Sequence, residues 1–239
     1  MTRRRWIADE VRGDTAALTG DHADHLVRVL RAQVGQTFDI GTGAAVRHGT
    51  ITSLSDSRVE FALGQEVAER AIPPVMLALA IFKFDRMEWA IEKCTEIGVA
   101  HIVPVIARRT DSHLASAAAK RRERWQRIAV QASEQSRRSA PPEIAVPVKL
   151  KELLETQTNI LPPLRVVLGE SERSTRLRDV FTARGPGAAL GIGPEGGWTT
   201  DELDSFREAG WVLASLGDTV LRAETAAIVS AAIAMDLLS

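Results

Sequence analysis

Four of the seven residues in the stretch Gly191-Ile192-Gly193-Pro194-Glu195-Gly196-Gly197 are glycines, and the stretch ends an apolar run typical of a buried β-strand. Glycine has no Cβ, so the backbone of such a loop is bare enough for a flat ligand to lie against it. An ordinary connection from a strand to a helix does not need four glycines. The stretch therefore indicates a loop that binds a small molecule.

Residues 191–196 also match the dinucleotide-binding pattern G-x-G-x-x-G, but the chemistry of the loop argues against that site. Pro194 removes an amide that would face a pyrophosphate, and the next helix is predicted to begin only at Thr199 or Thr200. Only 43 residues follow Gly196, too few for the further βα units of a dinucleotide fold. An NAD-dependent oxidoreductase is therefore the weaker alternative.

A second glycine-bearing strand end, Ser215-Leu216-Gly217, precedes an Ala-rich helix near the end of the sequence. Arg222 and Glu224 lie at the junction of loop and helix. By itself, Glu224 could simply cap the helix and pair with Arg222. A functional role is favoured by the neighbouring glycine-rich loop, because ligands of open α/β sheets bind at the carboxyl ends of strands.

The elements that must position these loops change in character near Pro73-Pro74. Before the prolines, short alternating stretches predict a small antiparallel barrel or sandwich, with one helical piece that places Leu26, Val29 and Leu30 on a shared face. After them, apolar runs alternate with helical patterns, which predicts an α/β fold with a mostly parallel sheet. These runs are Val75–Phe82, Ile102–Ala107, Ile144–Val148, Arg165–Leu168, Ala188–Ile192 and Trp211–Leu216.

The composition excludes several classes of protein. Hydrophobic residues make up 45% of the chain, enough for a core, and the longest clean apolar run is far too short to span a bilayer. The single cysteine, Cys94, rules out a disulfide framework and is predicted to be a core residue rather than a reactive thiol. The five histidines show no metal-ligand spacing. We expect a soluble, cytoplasmic protein that needs no metal.

Positive charge is concentrated between Arg108 and Arg138, where nine basic residues face three acidic ones in a chain of net charge −1. Such a run suits a polyanion, although it could also be a solvated helix face. Arg3, Arg4 and Arg5 form a second basic cluster. Trp125 interrupts the run and is predicted to anchor the helix in the core.

Five blocks, in this order and over nearly the whole chain, resemble the SPOUT superfamily of RNA methyltransferases and, within it, the small-subunit ribosomal RNA methyltransferase E family. The blocks are His25-Leu26-Val27-Arg28-Val29-Leu30-Arg31, Glu92–Val99 with Pro104, Gln131–Arg138 with Pro142, Gly191–Gly197, and Leu216-Gly217 with Leu221–Ala226. The resemblance implies a PUA-like RNA-binding β-barrel at 1–72 and a methyltransferase domain with a deep C-terminal trefoil knot at 73–239. It also implies a homodimer.

The resemblance further implies that S-adenosyl-L-methionine (SAM) is the methyl donor and that N3 of a uridine in 16S ribosomal RNA of the small subunit is the target. The motif match places SAM against Leu168, Gly169, Gly191, Ile192, Gly193, Pro194, Gly196, Leu216, Gly217 and Leu221. Arg222 is the candidate to stabilise charge on the uracil oxygens. Glu224 either positions Arg222 or takes the proton from N3. RNA contacts are expected from Arg3, Arg4, Arg5, Arg28, Arg31, Arg137 and Arg138.

The sequence departs from the family's pattern beside this site, and other functions stay open. Asp218-Thr219 stands where a Pro or Ser followed by Arg is more usual, and Ala223 replaces a common Thr. Within the superfamily, a ribose 2′-oxygen or a guanine nitrogen is an alternative target. A non-catalytic RNA-binding protein is the alternative from another class, which a SAM titration distinguishes.

Overall fold

The computed structural model describes residues 5–68, 73–136, 138–156, 161–182 and 185–239. The chain forms two compact units, the first comprising Met1–Ala71 with Ser133–Pro141, and the second Ile72–Ala132 with Pro142–Ser239. No pattern in the sequence indicated that Ser133–Pro141 belongs with the first unit. The domain bounds 1–72 and 73–239 stay a prediction.

The first unit is built on a six-stranded sheet with the order β1-β4-β5-β6-β3-β2. Its strands are β1 (Arg5–Ile7), β2 (Glu10–Arg12), β3 (Thr15–Thr19), β4 (Thr37–Gly41), β5 (Val46–Ser55) and β6 (Arg58–Glu66). The predicted antiparallel pairing is confirmed at four junctions. β1 and β4 pair in parallel instead, because the chain between them passes through two further strands and a helix before it returns.

The helical piece of the first unit begins as α1 (Gly20–Asp24) and continues as a π-helical turn over His25–Val29. Leu26 is fully buried, but Val29 is 64% exposed, so the two do not lie on one face as predicted. The amide of Leu30 donates to the carbonyl of His25, five residues back, at 3.1 Å. This wider turn rotates Val29 away from the face that an α-helix would give it.

The second unit contains a parallel seven-stranded sheet, which confirms the predicted α/β class. The main strand order is β10-β8-β7-β12-β11-β13, and β9 pairs with β8. The strands are β7 (Val75–Ala80), β8 (His101–Ile106), β9 (Glu143–Ile144), β10 (Val148–Lys149), β11 (Leu164–Leu168), β12 (Ala188–Ile192) and β13 (Val212–Ala214). The run Ile144–Val148 is not one strand as predicted, because Pro147 lacks the amide that would continue the ladder.

Helices cover both faces of this sheet. They are α2 (Phe84–Ile97), α3 (Ser112–Gln135), α4 (Leu150–Thr156), α5 (Leu177–Val180), α6 (Thr200–Glu208) and α7 (Ala223–Leu238). Alternate residues of β7 belong to two separate cores, one with α2, α3 and α7 and the other with α4 and α6. Burial on both faces explains why β7 reads as an unbroken apolar run.

Two predictions about single residues of this unit are confirmed. Trp125 is fully buried in the core, as expected for an anchor of α3. Cys94 is buried on α2, and that burial raises the pKa of its thiol to about 12, so the thiol is unreactive at neutral pH. Within the described ranges, no helix is long and apolar enough to cross a membrane.

Candidate active site

A cavity of about 440 Å³ opens in the second unit at the carboxyl ends of β11, β12 and β13. This is the edge of a parallel sheet at which ligands bind. The structure brings nine of the predicted site residues together on its wall: Leu168, Gly169, Ile192, Gly193, Pro194, Leu216, Gly217, Leu221 and Arg222. The two glycine-bearing strand ends, more than 20 residues apart in the sequence, therefore border one space.

Three predicted residues lie just behind this wall rather than on it. Gly191 is inside β12, where a Cβ would come within 3.4 Å of the ring of Phe206, so this glycine permits close packing of α6. The carbonyl of Gly196 accepts a hydrogen bond from the guanidinium of Arg109. Glu224 is buried at the start of α7, with 4% of its surface exposed.

The first glycine loop, Gly193–Trp198, is held by several independent contacts. The amide of Gly197 donates to the carbonyl of Pro194 at 2.8 Å and closes a tight turn, in which Gly197 has a φ of +69°. Glu195 accepts a hydrogen bond from the amide of Lys83, just before α2, at 3.2 Å. Trp198 is buried edge-on against Phe206, with ring centroids 5.0 Å apart. The loop is thus fixed at both ends before any ligand binds.

The helix that follows begins as predicted, with Thr199 as its N-cap. The hydroxyl of Thr199 accepts from the amide of Glu202 at 3.3 Å, and Glu202 accepts in return from the amide of Thr199 at 2.8 Å. The other oxygen of Glu202 accepts from the amide of Arg108, after β8, at 2.7 Å. One buried carboxylate therefore ties the first glycine loop to the neighbouring strand end.

The second glycine loop, Leu216–Leu221, has far fewer contacts. Within the described residues, its backbone makes no hydrogen bond to another backbone group. Asp218 of this loop pairs with Arg176, with 2.7 Å between Oδ1 and Nη2, and the side chain of Asp218 is 88% exposed. Val220 is also largely exposed, at 71%. This wall of the cavity is the less constrained one.

The third wall, Gly169–Arg176, folds around a carboxylate. Glu172 accepts hydrogen bonds from the hydroxyl and amide of Ser174, at 2.6 and 2.7 Å, and from the amide of Thr175 at 2.9 Å. These bonds, above all the one from the Ser174 hydroxyl, lower the pKa of Glu172 to about 2. Glu172 therefore stays ionised and shapes the turn. The neighbouring Glu170 faces the cavity, within the lining.

Arginine is the prevailing charged residue around the cavity. Arg86, Arg109 and Arg173 line it together with Arg222, and sequence reasoning had missed the first three. Each follows the carboxyl end of a parallel strand, β7, β8 and β11 respectively. A search for charged side chains just after each predicted strand would have found them, because such positions meet at one edge of the sheet.

Glu224 does not pair with Arg222. Its closest basic partner is Arg86, with 3.8 Å between Glu224 Oε1 and Arg86 Nε. Glu224 Oε2 has no hydrogen-bond partner within the part of the chain that the structure describes. Arg222 is exposed at the N-cap position of α7, and its guanidinium makes no ion pair with any described residue. The buried carboxylate and the exposed arginine thus have separate surroundings.

The arginines predicted to contact RNA lie mostly in the first unit. Arg28 is exposed and pairs with Asp24 at 2.7 Å, and Arg31, also exposed, ends the π-helical turn with a φ of +50°. Arg5 and Arg138 are half-buried, and burial lowers the pKa of the Arg138 guanidinium. Arg3, Arg4 and Arg137 lie outside the described residues.

Much of the basic run on α3 has structural partners. Arg124 and Arg121 both approach Glu88 of α2, at 2.7 and 3.6 Å, and Arg121 also lies over the ring of Phe84 at 4.8 Å. Arg122 donates to the carbonyl of Ile144 at 2.9 Å. The sum of charges along α3 therefore overstates the number of cations that face solvent without a partner. No group of three metal-ligating side chains occurs within the described ranges.

Comparison with known proteins defines the class first. Residues 69–235 match the model of the RNA methyltransferase domain family. The ribosomal RNA small subunit methyltransferase E of Synechocystis sp. is 32% identical over 224 residues, which cover 91% of this chain and 72% of that protein. The chain belongs to the RNA methyltransferase domain family and, within it, to the ribosomal RNA small subunit methyltransferase E family.

Two solved structures are similar over almost their whole length. A methyltransferase from Legionella pneumophila, in complex with the bound cofactor SAM, has a TM-score of 0.83 and 29% identity, covering 99% of this chain and 98% of that one. The ribosomal RNA small subunit methyltransferase E of Neisseria gonorrhoeae, bound to SAM, has a TM-score of 0.81 and 29% identity, covering 97% and 96%.

Proposed function

We propose that this protein is a SAM-dependent methyltransferase that modifies N3 of a uridine in 16S ribosomal RNA of the small subunit. The observation that supports this function best is that both glycine-bearing strand ends border the same cavity, in a chain of this family. We expect it to act in the cytoplasm, where the small subunit is assembled.

The residues around the cavity fit SAM. A volume of about 440 Å³ is within the ordinary range for a small-molecule site. Gly193 lines the cavity without a side chain, so its backbone is open to a planar group. A Cβ at this position would lie 3.2 Å from the amide nitrogen of Trp198, which is a tight contact. Leu168, Ile192 and Leu221 supply apolar surface, and charged side chains at the rim suit the amino-acid end of the cofactor.

We assign the cofactor contacts to the glycine-bearing strand ends. Those residues are Leu168, Gly169, Ile192, Gly193, Pro194, Leu216, Gly217 and Leu221 on the wall, with Gly191 and Gly196 setting the backbone path behind it. Because the first loop is fixed by Glu195 and Glu202, the cofactor meets a preformed surface, which lowers the entropy cost of binding.

SAM, when bound, supplies a methyl group: the uridine N3 lone pair forms the new N–C bond as the C–S bond breaks, and sulfur keeps that electron pair. Uridine N3 carries a proton at neutral pH, which must pass to water or hydroxide before N3 has a lone pair to use. The negative charge then spreads over the two carbonyl oxygens that flank N3. Arg222, exposed on the cavity wall with no ion pair among the described residues, donates to one of those oxygens.

RNA binding is assigned to the arginines of the first unit, Arg5, Arg28, Arg31 and Arg138, together with Arg3, Arg4 and Arg137. The six-stranded sheet of that unit supports a PUA-like RNA-binding barrel. We also propose the C-terminal trefoil knot and the homodimer of the family. Sedimentation equilibrium tests the dimer, and a mass of one chain at micromolar concentration would rule it out.

The decisive test is the product. The protein is incubated with methyl-labelled SAM and unmethylated small ribosomal subunits, and the digested RNA is examined by mass spectrometry for the labelled nucleoside. Labelled 3-methyluridine is expected. Another methylated nucleoside rejects the N3 assignment but keeps the class of enzyme. Absence of both incorporation and SAM binding, with a folded protein, rejects the proposed function in favour of a non-catalytic RNA-binding protein.

A further inference from the structure

The carboxylate of Glu224 is buried beside the cavity and only partly compensated. It is 4% exposed, and its Oε2 finds no hydrogen-bond partner within the described residues. A buried carboxylate with an oxygen that accepts no hydrogen bond is costly, so nearby positive charge must offset the burial. The N-terminal end of α7 supplies part of this, since Glu224 is in its first turn. The remaining partner is a cation, and Arg86 is the one in reach.

Arg86 lies where it can serve both Glu224 and a ligand. It is in the first turn of α2, which packs along α7, and its Nε is 3.8 Å from Glu224 Oε1. Its side chain is 32% exposed, and it lines the same cavity as Arg222. Guanidinium has five N–H donors in a rigid fork, so an ion pair at the Nε side leaves other donors for the cavity.

The other arginines of the cavity are less suited to the reacting base. Arg109 is engaged with the carbonyl of Gly196 and so supports the first glycine loop. Arg173 is exposed and pairs with no described carboxylate, and, unlike Arg222, it lies outside the motifs that the sequence analysis assigned to the site. Among the described arginines, Arg86 is the one that combines a place on the cavity wall with a buried counter-charge.

We infer that Arg86 is a second catalytic arginine, which contacts one carbonyl oxygen of the target uracil while Arg222 contacts the other. This inference rests on the proposed function, because the charge that forms when N3 loses its proton is shared between two oxygens on opposite sides of N3. A single arginine at one edge leaves the other oxygen to water. Glu224 is then a positioning residue that holds Arg86 and does not itself take the proton.

The test compares Arg86→Ala, Arg86→Lys and Glu224→Gln with Arg207→Ala, an exposed control on α6 that pairs only with Asp204 among the described residues. Methylation at saturating SAM and saturating small subunits gives kcat, and calorimetry gives the SAM affinity. Loss of one preorganised donor costs about 10²–10³-fold in kcat, so R86A is expected to fall by about that factor with SAM affinity retained. R86K is expected to recover part of the loss, because it keeps the charge without the fork.

The pH profile separates a catalytic from a structural role. Arginine beside the base lowers the effective pKa of uridine N3, so its removal moves the rising limb of kcat to higher pH, and R86A regains activity in alkali relative to wild type. Glu224→Gln should shift the limb in the same direction by less. The double variant with Arg86→Ala and Glu224→Gln should have nearly the same kcat as R86A, because the two residues act through one contact.

Three results overturn the inference. The first is an R86A enzyme with the wild-type kcat and pH profile, and the second is weaker SAM binding with kcat unchanged at saturation. The third is a double variant in which the loss of kcat from Glu224→Gln adds fully to the loss from R86A. If R86A does not fold, the profile of R86K decides in the same way. Failure of the wild-type protein to form 3-methyluridine would instead reject the proposed function itself.

Discussion

The two glycine-bearing loops that border the cavity differ in glycine content, with three glycines in residues 193–198 and one in residues 216–221, and the loop with more glycines is the better held. The first, Gly193–Trp198, is fixed by a tight turn, by Glu195 and by a buried tryptophan, and the helix after it begins with a complete capping box. The second, Leu216–Leu221, makes no backbone–backbone hydrogen bond within the described residues and is held by one exposed ion pair. Glycine content therefore does not predict rigidity; the partners of the loop do.

This difference suits two tasks. A preformed loop binds a constant ligand such as a cofactor without paying for its own ordering. A loop with few contacts can adjust to a bulky, variable partner, and it leads directly to Arg222, the exposed cation assigned to the RNA base. We expect damage to the first loop to affect cofactor affinity and stability most, and damage to the second to affect turnover most at Arg222, with only a small effect on SAM binding elsewhere in that loop.

The largest effect is expected at the end of the second loop. Arg222→Ala should lower kcat by about 10²–10³-fold, because it removes a donor from the charge that forms on the uracil oxygen, while SAM affinity is retained. Steady-state methylation at saturating SAM and calorimetry measure the two quantities, with Arg207→Ala as the control. Unchanged turnover would show that Arg222 has no role in the reaction. It would also contradict the expectation that the second loop governs turnover.

The next effect is expected in the first loop. Glu202→Ala removes the capping box and the hydrogen bond to the amide of Arg108, which should lower the free energy of unfolding by about 2 kcal/mol. SAM affinity should fall as well, since the loop is no longer fixed. Urea unfolding and calorimetry test both. Glu208→Ala, an exposed carboxylate at the other end of α6, is the matched control and should leave both quantities unchanged.

A smaller effect is expected for the ion pair of the second loop. Asp218→Ala should raise the KM for SAM by a factor of about 2–5, the size of an exposed ion pair, without lowering the unfolding midpoint. Arg176→Ala should give the same change, and the double variant no more than either alone. Additive losses would mean that the two residues act separately, and that the second loop is held by something other than their pair.

The smallest signal is a difference in local opening. Without SAM, amides of Gly217–Leu221 should exchange with deuterium rapidly, whereas the Gly197 amide, bonded to Pro194, should already be protected. Saturating SAM should therefore slow exchange more in the second loop than in the first. Equal protection of both loops in the free protein would show that the difference in their contacts does not change how readily they open.

Local signals explain what could be predicted. Thr199 caps α6 because a threonine followed three residues later by Glu202 satisfies the free amides of a helix start within one turn of chain. The buried strands of the second unit were recognisable because both of their faces are covered, so their apolar runs are unbroken. Predictions failed where an α-helix widened to a π-helical turn, as at Val29. They also failed where a proline interrupted the hydrogen bonds of a strand, as at Pro147.

The sequence by itself determined the glycine-rich strand ends, the α/β rhythm and the family, because these depend on residue types at short spacing. The tertiary structure decided which charges meet. Arg86, Arg109 and Arg222 come from three distant segments, and they share one cavity only because parallel strands end at the same edge of the sheet. The partner of Glu224 is Arg86, 138 residues away, rather than Arg222, two residues away. Proximity along the chain does not fix the direction of a buried side chain, whereas packing of α2 against α7 does.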